Sequence, residues 1–272
     1  MKNGFRFALL LGAACLAGCG GSGGGSDSSG SSGSSSGGSG GGSGPRLVQY
    51  NVGQTQQALG ANSLSVPFKA TTAAGSVLWV AVTLSDYAGA HTLAVSDTQG
   101  NAFTLLDQVD DAAPGSQTVA HFYASGIRGD SSSPDVVTVS WGNENYDGVL
   151  VAEVAGASAT APLVGHSKDQ QDRLAAGTNN VTSGPISVAS TQAPALLVAL
   201  SMNTSGGTSD IGGSGYGGPA AGSGLTTVAS VWKWGVNLAT FATASVSGTG
   251  TTSALFSAPD TDNFVTVAAL FH

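Results

Sequence analysis

Cysteine is nearly absent from this chain. Its two cysteines, Cys15 and Cys19, both lie within the first 19 of its 272 residues. Residues 20–272 therefore cannot form an internal disulfide, and they contain no thiolate that could bind a metal or act as a nucleophile. The chain from Arg46 onward is long enough to bury a core that needs no covalent cross-link.

Charge is also scarce. Only 9 % of the residues are charged, and 16 acidic residues oppose 8 basic ones, whereas roughly 25 % of a typical soluble domain is charged. An acidic protein has no electrostatic surface for nucleic acid or for anionic lipid, so neither is expected as a partner. Gly, Ser, Thr, Ala and Val take the place of charge, which is typical of secreted β proteins.

The beginning of the chain has the pattern of a bacterial secretory signal. Lys2 and Arg6 precede an apolar run over residues 7–16, which is too short to span a membrane. The run ends in Leu16-Ala17-Gly18-Cys19, which resembles the lipobox of bacterial lipoproteins. The resemblance covers residues 1–19. It implies a signal peptide over residues 1–18 and a diacylglycerol on the Cys19 sulfur; the alternative is an ordinary signal peptide in which Cys19 is incidental.

A lipoprotein of this kind is anchored in the cell envelope, with the membrane as its first partner. Gly20, and not Asp, follows Cys19. Under the enterobacterial sorting rule, the resemblance then implies the outer membrane, while the periplasmic and the surface-exposed side both stay open. Loss of Lys2 and Arg6 with the signal would leave the mature chain with a net charge near −10.

Residues 19–45 are predicted to be a flexible tether. They are almost entirely Gly and Ser after Cys19 and end at Pro45. A segment without apolar side chains cannot offset the entropy lost on ordering, so it should behave as a disordered coil with a reach of about 25–30 Å.

From Arg46 onward, helical periodicity is nearly absent, and short apolar or alternating segments are separated by Gly, Asp, Asn, Ser and Pro. We predict one all-β domain over residues 46–272, an antiparallel β-sandwich. Residues 77–84 are apolar on both faces and predict a central strand, and residues 97–101 predict a hairpin turn with positive φ at Gly100 or Asn101. The predicted strands are 47–52, 63–69, 76–84, 92–97, 101–107, 117–124, 135–141, 148–155, 185–190, 195–202, 225–233, 236–246, 251–257 and 263–271.

A weak internal repeat divides this domain. Four blocks in the first part of the domain are matched, in the same order, by four blocks in the second part. We expect two pseudo-repeated halves, neither closed alone, that pair into one sandwich. The matched blocks are 64–66 leading to 77–82 with 186–188 leading to 196–200, 121–126 with 240–245, 135–141 with 251–257, and 149–154 with 265–270.

Three motifs resemble those of secreted or lipid-anchored bacterial β-sandwich domains. They are the hairpin motif Val95-Ser96-Asp97-Thr98-Gln99-Gly100-Asn101-Ala102-Phe103-Thr104, the strand Val137-Thr138-Val139-Ser140-Trp141 and the strand Val151-Ala152-Glu153-Val154-Ala155-Gly156. The resemblance covers about residues 47–272. It implies a jelly-roll-like sandwich in an extracellular place, and it implies no reaction.

Acidic residues offer two candidate sites. Asp97 and Asn101, with Asp107, Asp110 and Asp111 further on, could supply oxygen ligands for calcium. Turn chemistry is the favoured explanation of these residues, and no cofactor is required. Glu144, Asp147 and Glu153 come nearest to the carboxylate pair of a glycosidase, with Glu153 as the acid in an otherwise apolar strand. The alternative for Glu153 is a solvent-facing position on the sheet or a hydrogen bond to neighbouring backbone.

The four histidines are His91, His121, His166 and His272, and no two of them have the spacing of metal ligands. His121 is expected in the core or on a sheet face. A catalytic triad assembled from distant positions stays open, but no residue pattern indicates one.

Aromatic residues offer a candidate ligand surface. Trp232 and Trp234 point to the same face of a strand, and Tyr216 stands alone in the Gly-rich segment 205–224. Exposed aromatic pairs on a sandwich can stack against sugar rings, while the alternative is that these indoles fill the core. Trp141 and Tyr146 are weaker candidates for the same role.

We therefore expect a lipid-anchored envelope protein with a non-catalytic binding or adhesion module, for polysaccharide or for a surface protein. The alternatives are a structural surface protein without a small ligand and a secreted glycan hydrolase or lyase. The binding module predicts an exposed aromatic patch, and the enzyme predicts two convergent carboxylates.

Overall fold

The computed structural model describes residues 44–85, 92–111, 117–172, 179–204, 220–221, 224–232, 238–258 and 263–272. These residues form antiparallel strands and one short 3-10 helix, Ser190–Gln192. No helix among them is long and apolar enough to cross a membrane. The strands are β1 Arg46–Pro67, β2 Val77–Ser85, β3 Ala94–Asp97, β4 Thr104–Asp111, β5 Gln117–Ala124, β6 Val136–Ala155, β7 Leu163–Gln171, β8 Asn179–Thr182, β9 Ile186–Val188, β10 Ala195–Asn203, β11 Ala220–Ala221, β12 Thr226–Trp232, β13 Leu238–Val246, β14 Gly250–Thr252, β15 Leu255–Ala258 and β16 Phe264–Phe271.

The strands form two large sheets and two small ones. The first large sheet has the order β1-β6-β2-β5-β4, and β3 pairs with β6 beside it. The second has the order β12-β13-β10-β16-β7, and the small sheets are β11-β15-β8 and β14-β9. The predicted all-β, antiparallel sandwich is therefore confirmed.

The internal repeat is visible in the order of the strands. If β3 is set aside, each large sheet has a row of five strands in which the first in the chain pairs with the last, and the last pairs with the second. The row β1-β6-β2-β5-β4 in one sheet corresponds to β7-β16-β10-β13-β12 in the other. We call β1–β6 the first half and β7–β16 the second half. Each half has a jelly-roll-like order of strands.

Three cores hold the layers together. The two large sheets face each other across a shared core that includes Trp79, Val198 and Phe241. The opposite face of the first sheet packs against Val66, Val137 and other residues of β1 and β6 that fold back over it. The opposite face of the second sheet packs against the small sheets. The halves pair as expected, but each also has a second layer and a core of its own.

Side-chain direction corrects the register of the repeat. Phe122 was matched with Phe241, yet Phe122 lies in the first half's own core whereas Phe241 lies in the shared core. The match of Val149 with Val265 has the same fault. A shift of one residue moves a side chain to the other face of its sheet, so these two blocks are displaced by an odd number of residues.

Most predicted strands are confirmed, but β8 and β11 were not predicted, and the predicted strand 251–257 is divided between β14 and β15. Segments 47–52 and 63–69 belong to the single long strand β1, and 135–141 and 148–155 belong to β6. The polar strand β7 was missed because it has no apolar alternation. Residues 97–101 do not form a hairpin, since β3 pairs with β6 whereas β4 pairs with β5; Gly100 does have the expected positive φ of 68°.

The two ends of the sandwich differ in what they carry. At one end, Ser85 pairs with Gln117 and Asn203 pairs with Phe264. Hydrogen bonds from Gln170 and Thr204 to Asp111 join the halves there. The strands at this end, which we call the loop end, are linked through segments 86–91, 112–116, 173–178, 205–219, 233–237 and 259–262.

Arg46 begins the first strand at the opposite end, where it pairs with Ala155. We call this the N-terminal end. Here the loop over residues 70–76 lies against residues 126–130, with hydrogen bonds from Gly75 N to Ile127 O at 2.9 Å and from Asp130 N to Thr72 O at 3.1 Å. Gly129 makes this approach possible. A Cβ built on it would meet the backbone nitrogen of Ala74 and would lie 2.8 Å from Thr72 O.

This packing predicts different outcomes for two glycines with similar backbone angles. Gly126 has φ of 58° and Gly129 has φ of 66°, but a Cβ on Gly126 would have no neighbour within 4 Å. Gly126→Ala should cost about 1–2 kcal/mol through backbone strain alone. Gly129→Ala should cost about 1–3 kcal/mol more, because the methyl group must displace backbone. Urea unfolding measures both; equal losses would contradict the close approach.

Candidate functional site

Three titratable side chains meet where the two halves touch. Asp107 on β4, His121 on β5 and His166 on β7 place one ligand-type atom each within 4.8 Å of one another. Asp107 Oδ2 lies 3.1 Å from His121 Nε2 and 2.6 Å from His166 Nδ1. Burial rises inward, since the side chain of His166 is 37 % exposed, that of Asp107 13 % and that of His121 0 %.

The positions of the protons in this cluster follow from the hydrogen bond between Trp79 and His121. The indole Nε1 of Trp79 lies 3.2 Å from His121 Nδ1, and an indole N–H can only donate. His121 Nδ1 therefore accepts, and the proton of the neutral ring is on Nε2, which donates to Asp107 Oδ2. His166 Nδ1 donates to the same oxygen. The result is a hydrogen-bonded chain from the shared core to the surface, Trp79–His121–Asp107–His166.

The environment fixes the charges in the chain. Burial lowers the pKa of His121, and the adjacent Asp107 offsets this only in part, so the ring is neutral. Burial by itself would raise the pKa of Asp107, but hydrogen bonds and charge from His121 and His166 outweigh it and hold that pKa below its usual value. Asp107 is therefore the anion around which the cluster is arranged.

Further polar contacts extend the cluster along β4 and β7. Lys168 Nζ donates to Gln108 O at 2.8 Å and lies 3.9 Å from Asp107 Oδ1. Gln170 Nε2 donates to Asp111 Oδ1 at 3.1 Å. We call these contacts between β4 and β7 the polar seam. The first-half residues in it are Asp107, Gln108 and Asp111, and the second-half residues are His166, Lys168 and Gln170.

The cluster has the ligand types of a metal site but not the proton arrangement. A metal on His121 Nε2 would require the ring proton on Nδ1, where it would face the Trp79 N–H. The 2.6 Å contact between His166 and Asp107 is also a direct hydrogen bond with no space for an ion between its atoms. The geometry fits a structural clamp between the halves.

His166 is the member of the chain that could act on a bound molecule. With its Nδ1 donating to Asp107, its lone pair is on Nε2, as in a histidine oriented as a general base. Within the described residues, the ring of His166 forms a hydrogen bond with Asp107 and none with a hydroxyl group. The dyad therefore lacks a nucleophile in this part of the chain.

Glu153 occupies a structural position. It is 1 % exposed and accepts hydrogen bonds from Gln49 Nε2 at 2.7 Å, Ala73 N at 2.8 Å and Ser76 Oγ at 2.9 Å. Asp147 lies six residues earlier on the same strand, β6, so the Cα atoms of Asp147 and Glu153 are about 20 Å apart. Glu153 and Asp147 therefore do not form the carboxylate pair of a glycosidase.

Asp97 and Asn101 lie together at the N-terminal end. Asp97 Oδ1 accepts from Asn101 N at 2.8 Å, and Asp97 Oδ2 accepts from Asn101 Nδ2 at 2.6 Å. The side-chain oxygen of Asn101 accepts from Arg128 N at 2.9 Å. Asn101 therefore positions Asp97. Two further residues of the calcium prediction, Asp107 and Asp111, belong to the polar seam.

The aromatic candidates lie mostly outside the described residues. Cys19, Tyr216 and Trp234 fall there, as do the side chains of Trp232 and Tyr146. The backbone of Trp232 ends β12 opposite Leu238, at the loop end. Trp141 is 6 % exposed and belongs to the first half's own core, so it is not part of an exposed platform.

Sequence reasoning missed the cluster because its members lie 14 to 59 positions apart. His121 was expected in the core or on a sheet face, and the structure confirms its burial. Strand β7, which carries His166, was not predicted, so the sequence did not indicate that His166 lies near Asp107 and His121.

Comparison of the chain with protein-family models, with curated proteins and with solved structures finds no significant match.

The buried imidazole of His121 predicts a pH-dependent stability. As the pH falls below about 6.5, the unfolded chain binds a proton before His121 does in the folded state. The stability contributed by neutral His121 is present above that pH and should be lost toward the folded pKa, by up to about 1.4 kcal/mol per pH unit. Urea unfolding between about pH 7.5 and 5.5 measures the slope, above the range in which the carboxylates of the unfolded chain titrate.

A His121→Gln variant should flatten this profile. Its amide can accept from Trp79 and donate to Asp107, but it does not titrate. His272→Gln, which removes a histidine outside the cluster, should keep the contribution of His121. Equal slopes in wild type and His121→Gln would refute the assignment.

Proposed function

We propose that this chain is a lipid-anchored cell-envelope protein whose β-sandwich is a non-catalytic binding module for polysaccharide, displayed with its loop end away from the membrane. The observation that carries the proposal is that the N-terminal end and the loop end lie at opposite ends of the sandwich. Strand β1 starts at the N-terminal end, where Arg46 pairs with Ala155. A tether attached through residues 19–45 would thus leave the segments at the loop end free for a ligand.

The aromatic candidates support the loop end as the ligand surface. Trp232 ends β12 opposite Leu238, and Met202, near the end of β10, pairs with Ala239. Segment 233–237 contains Trp234, and segment 205–219 contains Tyr216. Both segments therefore begin at one end of the second sheet. Indole and phenol rings gathered there would offer flat apolar faces with polar edges, which suit sugar rings.

The carboxylates favour a binding module over a hydrolase. A glycosidase needs two carboxyl groups about 5–10 Å apart in one cleft. Glu153 is buried with three donors, and Asp107 holds the polar seam together. Both acids are committed to structural contacts, which supports a module that binds without cleaving.

The anchor is tested by substituting each cysteine. In a bacterial host, the wild-type protein should incorporate labelled palmitate and enter the detergent phase on Triton X-114 partitioning. Cys19→Ser should do neither, because a thioether needs the sulfur. Cys15→Ser is the matched control and should behave as wild type. Labelling that survives in Cys19→Ser would refute the anchor.

The ligand surface is tested by removing both indoles. We expect the purified protein in detergent to bind at least one polysaccharide on a glycan array, and Trp232→Ala with Trp234→Ala to weaken that binding about tenfold or more. Leu105→Ala, which removes an exposed hydrophobic side chain on β4, should leave binding unchanged. Unchanged thermal unfolding would show that both variants are folded. Failure to bind any glycan, or full binding by the double variant, would overturn the assignment.

A further inference from the structure

Asp135 lies just before β6 and presents a buried oxygen without a partner. The residue is 0 % exposed. Its Oδ1 accepts a hydrogen bond from Thr98 Oγ1 at 2.6 Å, whereas its Oδ2 is buried and has no hydrogen-bond partner. A buried carboxylate oxygen in this condition is costly unless a proton or a cation satisfies it.

Asp97 lies beside Asp135, because Asp97 pairs with Val137 and residue 135 is then its diagonal neighbour on the same face of the two strands. Asp97 is held in place by the backbone and the side chain of Asn101, which donate to its two oxygens at 2.8 and 2.6 Å. These two N–H donors fix the orientation of the Asp97 carboxyl group. Thr98, between β3 and the turn, holds Asp135 in the same way.

Neither carboxyl group has a basic partner. Within the described residues, neither Asp97 nor Asp135 forms an ion pair. The nearby Arg128 uses its backbone N–H for Asn101 and its guanidinium for Gln99 O, at 2.9 and 3.4 Å. The described surroundings of the pair therefore supply no positive charge to balance the two carboxyl groups.

We propose that Asp97 and Asp135 bind a divalent cation of the calcium type between them at the N-terminal end. Asp135 Oδ2 and the Asp97 carboxylate are the protein ligands, and Asn101 and Thr98 are positioning residues. Two carboxylates already oriented by hydrogen bonds are the usual setting of a metal ligand. Hard oxygen ligands with water in the remaining positions suit calcium.

The site would join two parts of the first half. Asp97 ends β3 and Asp135 precedes β6, and the two strands pair with Asp97 opposite Val137. A cation there would fasten the crossing from β3 to β4 onto the second layer. Its main consequence would therefore be stability, which a ligand raises by binding the folded state alone.

The test measures thermal unfolding and calorimetric calcium binding in the full mature protein, after EDTA treatment and dialysis. Calcium should raise the Tm of the wild type and bind at one saturable site. Asp135→Asn should abolish the rise in Tm and weaken binding about tenfold or more. Asp172→Asn removes an exposed carboxylate beyond β7 and should retain both effects. Asp97→Asn provides a second disrupting variant if Asp135→Asn does not fold.

Two outcomes would overturn the proposal. The first is a wild-type protein that shows neither heat of binding nor a shift in Tm with calcium. The second is a shift that persists in both Asp135→Asn and Asp97→Asn. If Asp135→Asn is instead more stable than wild type in EDTA and calcium affects neither, the pair shares a proton. None of these results depends on whether the loop end binds polysaccharide.

Discussion

Trp79 is fully buried where the two large sheets face each other, and its indole N–H can only donate. Leaving that group unpaired would cost about 1–3 kcal/mol, so the core has to contain an acceptor. His121 supplies one, and the neutral ring then carries a proton on its other nitrogen. That proton needs Asp107, and the charge on Asp107 attracts His166 from the second half. One buried indole thus accounts for a chain of polar residues that ends at the surface and joins the halves.

The hydrogen-bonded chain from Trp79 to His166 has no counterpart at the corresponding place in the second half. Ala81 pairs with His121 in the first sheet, and Leu200 pairs with Phe241 at the corresponding place in the second. Phe241 stacks on Trp79 with ring centroids 5.7 Å apart and needs no polar partner. The edge between β1 and β12 is joined by Tyr50 Oη, which donates to Val228 O at 3.1 Å. The polar seam on the other edge fixes the register of β4 against β7, since a slip of one residue would turn its side chains away.

The fold was accessible from the sequence, and the cluster was not. Apolar residues on both faces of segment 77–84 predicted a central strand, and β2 lies between β6 and β5. The order of the repeated blocks predicted the two halves. Strand β7 could not be predicted, because it lies at an edge and most of its side chains are polar. Hydrogen bonds across layers depend on register and packing angle, which a single sequence does not encode locally, so Glu153 and His166 gave no signal of their partners.

At the N-terminal end, buried polar side chains are held by hydrogen bonds to nearby segments of the chain, with Asp135 Oδ2 as an exception. Glu153 binds the loop over residues 70–76, and Asp97 binds Asn101. These contacts hold the end at which the first strand starts. At the loop end, by contrast, the described strands are held by their apolar faces and by the contacts of Asp111 with Gln170 and Thr204. Segments that link strands there can change in sequence while the buried faces keep the sheets in place. This difference between the ends is the physical basis of the proposal that one end serves attachment and the other recognition.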